Sequence, residues 1–355
     1  ALAYEGEPRR GPGWVVDAPA AVRHLGKEAY AAYDLEDLNQ MLRLMWIRKA
    51  FAATKLLIVT DRLGKAPFGL SSAAYDFDRL HKLYGMRYHN ISNQDIVTEM
   101  ERIIHSAEKQ RDVEDFASNL MARAGAVHMS KEHIIHSCNF YFAVRHFMKQ
   151  QVCNAFTIEC REICPLEIAA HYQFTPCMTL SLLKDAGYPA VCQTDINALL
   201  TMMTLSYFGR RTVYMGNPDF FARDNTVTIF HDVAGLKMKG FDQPDAPYEL
   251  RNFTVGGWGV TLRYDFNRDK GEKVTIARFN PAGDRILVTR GEILNGFGLD
   301  QISCSLGVRV KVPDARTLFK KSTNYGGHLV MAYGDHVQDI CDLSELMPFE
   351  VETVC

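Results

Sequence analysis

The sequence predicts an α/β protein in two parts: a Rossmann-like parallel sheet domain, then a β-rich C-terminal domain built as an antiparallel sheet or barrel. Two observations predict this. Up to Phe208, short apolar runs alternate with longer segments whose apolar residues recur every three to four positions, the pattern of strands and crossover helices. After Arg210 the helical pattern gives way to short strand-like runs separated by Gly, Asn, Asp and Pro. With 355 residues, 47% of them hydrophobic, the chain can bury a core for both parts.

The elements follow in order. Gly6–Gly13 is rich in Pro and Gly and is expected as a loop, and residues 1–34 as an N-terminal arm or the remnant of a preceding domain. The opening ALAYEGEPRRGPGW reads as the end of a strand running into a loop, as though a first domain were missing. Leu35 to Ala53 has helical apolar spacing. LLIVT (Leu56–Thr60) is a buried strand, and the loop DRLGKAPFGLSS follows it. Asp76–Gly85 is a helix that Gly85 ends, and RYHNIS is the second strand. Ser92 starts a helix that runs to about His105, and two more follow, the second over Lys131–Gln151. NAFTIEC (Asn154–Cys160) is a strand, TPCMTLSLLKDAG a helix capped by Gly187, and AVCQTD the next β-unit. The α/β domain is assigned to residues 35–187 and the β-rich domain to 188–355. In the latter, RTVYMGN, TVTIFHD, GGWGVTLRYDF, EKVTIARFN, DRILVTRGEIL and SLGVRVKV read as strands, and Ala315–Lys321 and Val337–Leu343 as short helices.

Composition narrows the function. A net charge of -2, with no run of basic residues among aromatics, gives nucleic acid no surface. No apolar stretch is long enough to span a bilayer. Nine cysteines, an odd number set mostly in apolar segments, predict a reducing, cytoplasmic environment without a disulfide framework. Cys160 and Cys164 are spaced CxxxC, a weak metal signal. No GxGxxG follows the first strand, so no dinucleotide site is expected.

Four metal-capable side chains stand where a β-element ends or begins. Glu159 ends AFTIEC, Asp195 lies past AVCQT, His231 ends TVTIFH, and His328 opens HLVMAYGD after two glycines. Each also has a plain structural role open to it. Glu159 can pair with Arg161, Asp195 can cap the following helix, and either histidine can be a satisfied structural residue. Taken jointly, two carboxylates and one or two imidazoles suit a divalent cation such as Mn²⁺, Mg²⁺ or Co²⁺. Trp258, Tyr333 and Tyr325 can stack on the apolar face of a sugar, or simply fill a core.

The segments NAFTIECREICP, TPCMTLSLLKDAGYPAVCQTDINALLTMM, VYMGNP, TIFHD and GGHLVMAYGDH, in this order, resemble the L-fucose isomerase/L-arabinose isomerase superfamily, and most of all its fucose-isomerase-like members. The resemblance implies a Mn²⁺-dependent aldose–ketose isomerase, a monosaccharide substrate and assembly into a homo-oligomer. It implies Asp195 and His328 as metal ligands, Glu159 as the second carboxylate and His231 as a further ligand. Glu159 and Asp195 would then also be the acid/base pair of a cis-enediolate mechanism. The chain departs from the pattern at Gln193, a substrate-side position where related sequences often read CEGD and this one reads CQTD. That departure keeps open a sugar-binding or regulatory homologue with altered catalysis. A lyase or epimerase working through the same enediolate is a third possibility.

Overall fold

The computed structural model describes residues 14–63, 76–164 and 167–355. The loop expected over Gly6–Gly13, and most of the one after LLIVT, lie outside the described residues. The strands are β1 (Lys55–Val59), β2 (Arg87–Ile91), β3 (Ala126–Val127), β4 (Ala155–Ile158), β5 (Ala190–Cys192), β6 (Tyr214–Phe221), β7 (Thr226–Phe230), β8 (Glu249–Asn252), β9 (Val260–Arg263), β10 (Lys273–Phe279), β11 (Arg285–Phe297), β12 (Gly307–Lys311), β13 (Leu329–Tyr333) and β14 (Glu350–Val354).

The expected fold class is observed. A parallel sheet in the order β2-β1-β4-β5 is interleaved with helices, and an antiparallel barrel follows it. The barrel runs β10-β13-β6-β7-β12-β11 and closes through β10 against β11. β14 adds to β11 in parallel outside the ring. β11 serves both β10 and β12 because it is long and bends at a register shift between Ile293 and Asn295, the usual effect of a bulge. A small third sheet joins β3, β8 and β9.

Local chemistry explains the helix ends. Asp34, Asp76, Ser92, Ser106 and Ser130 each accept a backbone N–H in the first turn of the helix that follows. Ser92 and Asp95 complete a reciprocal capping box. Gly85 takes the left-handed C-cap conformation at φ 75°.

Several details differ from the sequence reading. Trp14–His24 is helical within the stretch read as an arm. β5 lies beyond residue 187 yet pairs with β4 in the parallel sheet. GGWGVTLRYDF is extended only over β9, since Gly257 and Gly259 turn the chain at φ 82° and 76°. β8, β14 and the helix Glu167–Tyr172 are too short and polar to show a clear period. Among the described residues, no helix is long and apolar enough to cross a membrane.

The helix Ile196–Gly209 joins the two parts. It is buried nearly all round, as a helix that is apolar on every face must be. It packs on β5 of the sheet and on β10 and β13 of the barrel. Its threonines return their hydroxyls to carbonyls one turn back, Thr201 to Asn197 and Thr204 to Leu200. Thr201 also accepts the N–H of Phe279 from β10.

β6 and β7 lie close together just before His231. A Cβ built on Gly216 would lie 2.7 Å from the Phe230 carbonyl oxygen. Gly216→Ala should therefore cost about 1–3 kcal/mol, the usual range for overpacking. Urea unfolding would read this as a lowered midpoint with an unchanged slope.

Candidate functional site

A cluster of buried polar groups lies where the carboxyl end of the parallel sheet meets the barrel. β5 ends at Cys192, and the chain turns through Gln193 and Thr194 with both residues left-handed, at φ 59° and 48°. For residues other than glycine this conformation is uncommon, and for a β-branched threonine it is an outlier. Such strain costs on the order of 1–3 kcal/mol per residue and persists only where the surroundings impose it. Here Thr194 is held by its N–H to the Ile158 carbonyl and by its hydroxyl to Glu159. The turn delivers Asp195 to the N-cap of the buried helix, where its Oδ1 accepts the Ala198 N–H at 2.9 Å.

The other oxygen of Asp195 reaches the barrel. Oδ2 accepts from Arg278 Nη1 at 2.6 Å and from His328 Nδ1 at 2.8 Å. All three side chains are fully buried. β10 and β13 pair through Ala277 and Val330, which brings Arg278 to the end of the barrel where His328 enters β13. Arg278 also donates from Nε to the Tyr325 carbonyl. Burial by itself would raise the Asp195 carboxyl. The Arg278 charge and the His328 contact outweigh it and hold the group below its ordinary value.

An ionised carboxylate only accepts, so His328 donates its Nδ1–H to Asp195, and in the neutral ring Nε2 is then the lone-pair nitrogen. His231 has the opposite arrangement. Its Nδ1 accepts the Asp232 backbone N–H at 3.0 Å, which leaves the proton on Nε2. The two rings are 5.4 Å apart between centroids. Both Nε2 atoms are buried without a hydrogen-bond partner among the described residues. One nitrogen is thus an unused acceptor and its neighbour an unused donor. Burial above all, with the Lys184 charge adding to it, pushes His231 down to about 3, so it stays neutral near physiological pH.

The other expected site residues fall elsewhere. Glu159 is buried, and its carboxylate is engaged by Arg161 through Nε at 2.7 Å and Nη2 at 2.9 Å, and by the Thr194 hydroxyl at 3.0 Å. Gln193 is part-buried in the strained turn. Trp258 packs against the main core from the loop between β8 and β9. Tyr333 donates to Asp269 and lies under the Lys239 ammonium. It stands five residues along β13 from His328, about 17 Å at strand rise.

This arrangement does not fit the expected cation. Among the described residues, no three His, Cys, Asp or Glu side chains form a group able to hold a metal ion. Both oxygens of Asp195 already accept hydrogen bonds, and one of the partners is the Arg278 guanidinium. Glu159 is closed by Arg161, and His231 presents an N–H. Only His328 offers a free lone pair, and the buried Lys184 ammonium adds a second positive charge near His231. As a constellation, the side chains can instead take a proton at one imidazole and donate a hydrogen bond from the other.

Two residues essential to this geometry were not singled out from the sequence. Arg278, in VTIARFN, sits between Ala277 and Phe279 on an apolar strand. A charge in that position calls for a buried partner by the argument that drew attention to Glu159. Asp232, which fixes the His231 tautomer, is itself anchored by the buried Arg263 at 2.6 Å.

No family model matches the chain. Two curated proteins are similar to it, the sulfoquinovose isomerases of Priestia aryabhattai and Priestia megaterium. Each is 22% identical over 331 residues, covering 89% of this chain and 68% of the relative.

Two outcomes follow from the electrostatics. Arg278→Met should strand the Asp195 carboxylate and cost about 3–5 kcal/mol, the usual penalty for half of a buried pair; chemical denaturation measures this. His231 refuses a proton that the unfolded chain accepts near the ordinary histidine value of about 6.5. Its contribution to stability is therefore lost as pH falls through that value toward about 3. Thermal unfolding followed from about pH 7 down to about pH 5 should show this loss, and His231→Gln should flatten it.

Proposed function

We propose that this chain is a sugar isomerase that interconverts an aldose and its ketose by carrying a proton between C2 and C1. The observation that carries the reading is the pair of buried, complementary imidazole nitrogens at the meeting of sheet and barrel. The similarity to sulfoquinovose isomerases along most of the chain supports the reaction class.

The chemistry runs through the chain's own side chains. The C2 proton of an aldose is a weak acid, so its removal needs both a base and stabilisation of the charge that builds on oxygen. His328 Nε2 takes the proton. The imidazolium formed is stabilised by Asp195, which also fixes the ring's orientation, and Arg278 keeps that carboxylate ionised. His231 donates from Nε2 to the oxygen of the forming enediol, and being neutral it does not compete for the proton. His328 then returns the proton to the neighbouring carbon, while the hydroxyl proton passes from O2 to O1. Glu159, placed by resemblance as an acid/base group, acts here through the turn, by holding Thr194. Both imidazole nitrogens are closed off from solvent, so turnover includes an opening movement that admits the sugar.

A second reading, a sugar-binding homologue without turnover, is favoured by the engagement of both carboxylates in ion pairs and by Gln193. One experiment separates the two. Sulfoquinovose and a panel of aldoses and ketoses are incubated with wild type, with chelator-treated wild type and with His328→Asn. Asn keeps an N–H for Asp195 and deletes the Nε2 base. Turnover should survive chelation and fall about 10²–10⁴-fold in the variant, the usual weight of one general base. Turnover abolished by chelator, or unchanged in His328→Asn, would overturn the imidazole mechanism. Sugar binding with no turnover in wild type would establish the second reading.

A further inference from the structure

Five of the nine cysteines gather beside the carboxyl ends of β4 and β5. Cys160 follows Glu159 and is mostly buried, with some surface left accessible, whereas Cys192 closes β5 and is buried. Their sulfurs are 3.2 Å apart. The strands that present them are neighbours in register, with Ile158 opposite Cys192. Cys164 also contacts Cys160 through its thiol, and Cys177 and Cys304 lie close enough to interact electrostatically with the group. All nine cysteines are free thiols.

We propose that Cys160 and Cys192 form a reversible oxidation site whose oxidant is a hydroperoxide and whose product is a disulfide between them. The access and the spacing both favour this pair. A disulfide needs sulfurs about 2 Å apart, so the present separation closes by little more than about 1 Å. Cys160, the more exposed partner, meets the oxidant. Its thiolate attacks the peroxide oxygen and the O–O bond breaks, giving a sulfenic acid and releasing an alcohol, or water if the oxidant is hydrogen peroxide. Cys192 then attacks the sulfenic sulfur. The S–O bond breaks, the hydroxyl leaves as water with the thiol proton, and the S–S bond forms. In sum, two thiols and one hydroperoxide give one disulfide, one alcohol and one water. A dithiol reverses the bond by exchange.

The bond would join the two turns that hold the strained segment. Glu159 and Cys160 stand on one side, Cys192 and Gln193 on the other, and the Thr194–Glu159 hydrogen bond already spans them. Oxidation would lock the turn that aims Asp195. Only this consequence rests on the isomerase reading; the bond itself does not.

The test uses the full-length chain treated with hydrogen peroxide, alkylated under denaturing conditions and mapped by peptide mass spectrometry without reduction. The expected result is the loss of two alkylatable thiols and the appearance of a Cys160–Cys192 cross-linked peptide, which dithiothreitol removes. Cys164→Ser should form the same peptide. Cys192→Ser combined with Cys164→Ser, which removes the other thiol in contact with Cys160, should stop at a sulfenic acid on Cys160 that dimedone traps. Recovery of Cys160 and Cys192 as alkylated thiols while the exposed Cys355 is oxidised would overturn the proposal, and so would a Cys160–Cys164 bond in wild type. The peptide map gives its answer whether or not any sugar is turned over, so the failure of this proposal and that of the isomerase reading are told apart.

Discussion

The structure depends on one carboxylate. Asp195 starts the helix that leaves the parallel sheet, and with its other oxygen it grips two barrel residues, Arg278 and His328, which lie 83 and 133 positions further along the chain. Because the group is buried, neither contact is optional. An ionised carboxylate in the interior requires a compensating charge, and removing that charge costs more than the pair contributes in net terms. The value of such a pair lies in specificity. It sets where the sheet sits against the barrel, and it fixes the protonation pattern of an imidazole.

That pattern is then transmitted outward. With the Nδ1–H of His328 committed to Asp195, the neutral ring has its acceptor at Nε2; with Nδ1 of His231 committed to the Asp232 N–H, its Nε2 must be a donor. Two histidines at the ends of different strands thereby become chemically unlike. The same contacts work against a cation. Glu159 and Asp195 carry oxygen donors suited to a hard divalent ion, but each is turned toward an arginine. The strained turn at Gln193 and Thr194 belongs to this balance. A CEGD pattern would place glycine at the second left-handed position without strain, whereas threonine holds it through Glu159.

Much of the fold was legible in the sequence because the signals were local. The cap at Ser92, the left-handed Gly85, the apolar run of β4 and the alternation through β10 and β11 each follow from a few neighbouring residues. β14 and β8 were not legible. Their short polar segments are extended because a neighbouring strand supplies the hydrogen bonds, β11 for the first and β9 for the second. Closure of the barrel by β10 on β11 was likewise open, since the same strands could have formed a flat sheet.

For the site, the sequence by itself determined which titratable groups stand at the ends of β-elements, and that Asp195 begins a helix. It determined the fold class too, through the change from helical to alternating periodicity near Arg210. Only the tertiary structure decided what those groups face. Whether Asp195 meets a cation, a solvent shell or an arginine depends on contacts between segments separated by most of a domain, and no local pattern encodes them. Trp258 and Tyr333 show the same limit: both are aromatic residues beside glycine-rich turns, and both are committed to packing or to Asp269. The physical reason is range. Periodicity and capping are settled within a turn or two of chain, whereas the charge state, tautomer and partner of a buried side chain are settled by whatever the fold brings against it.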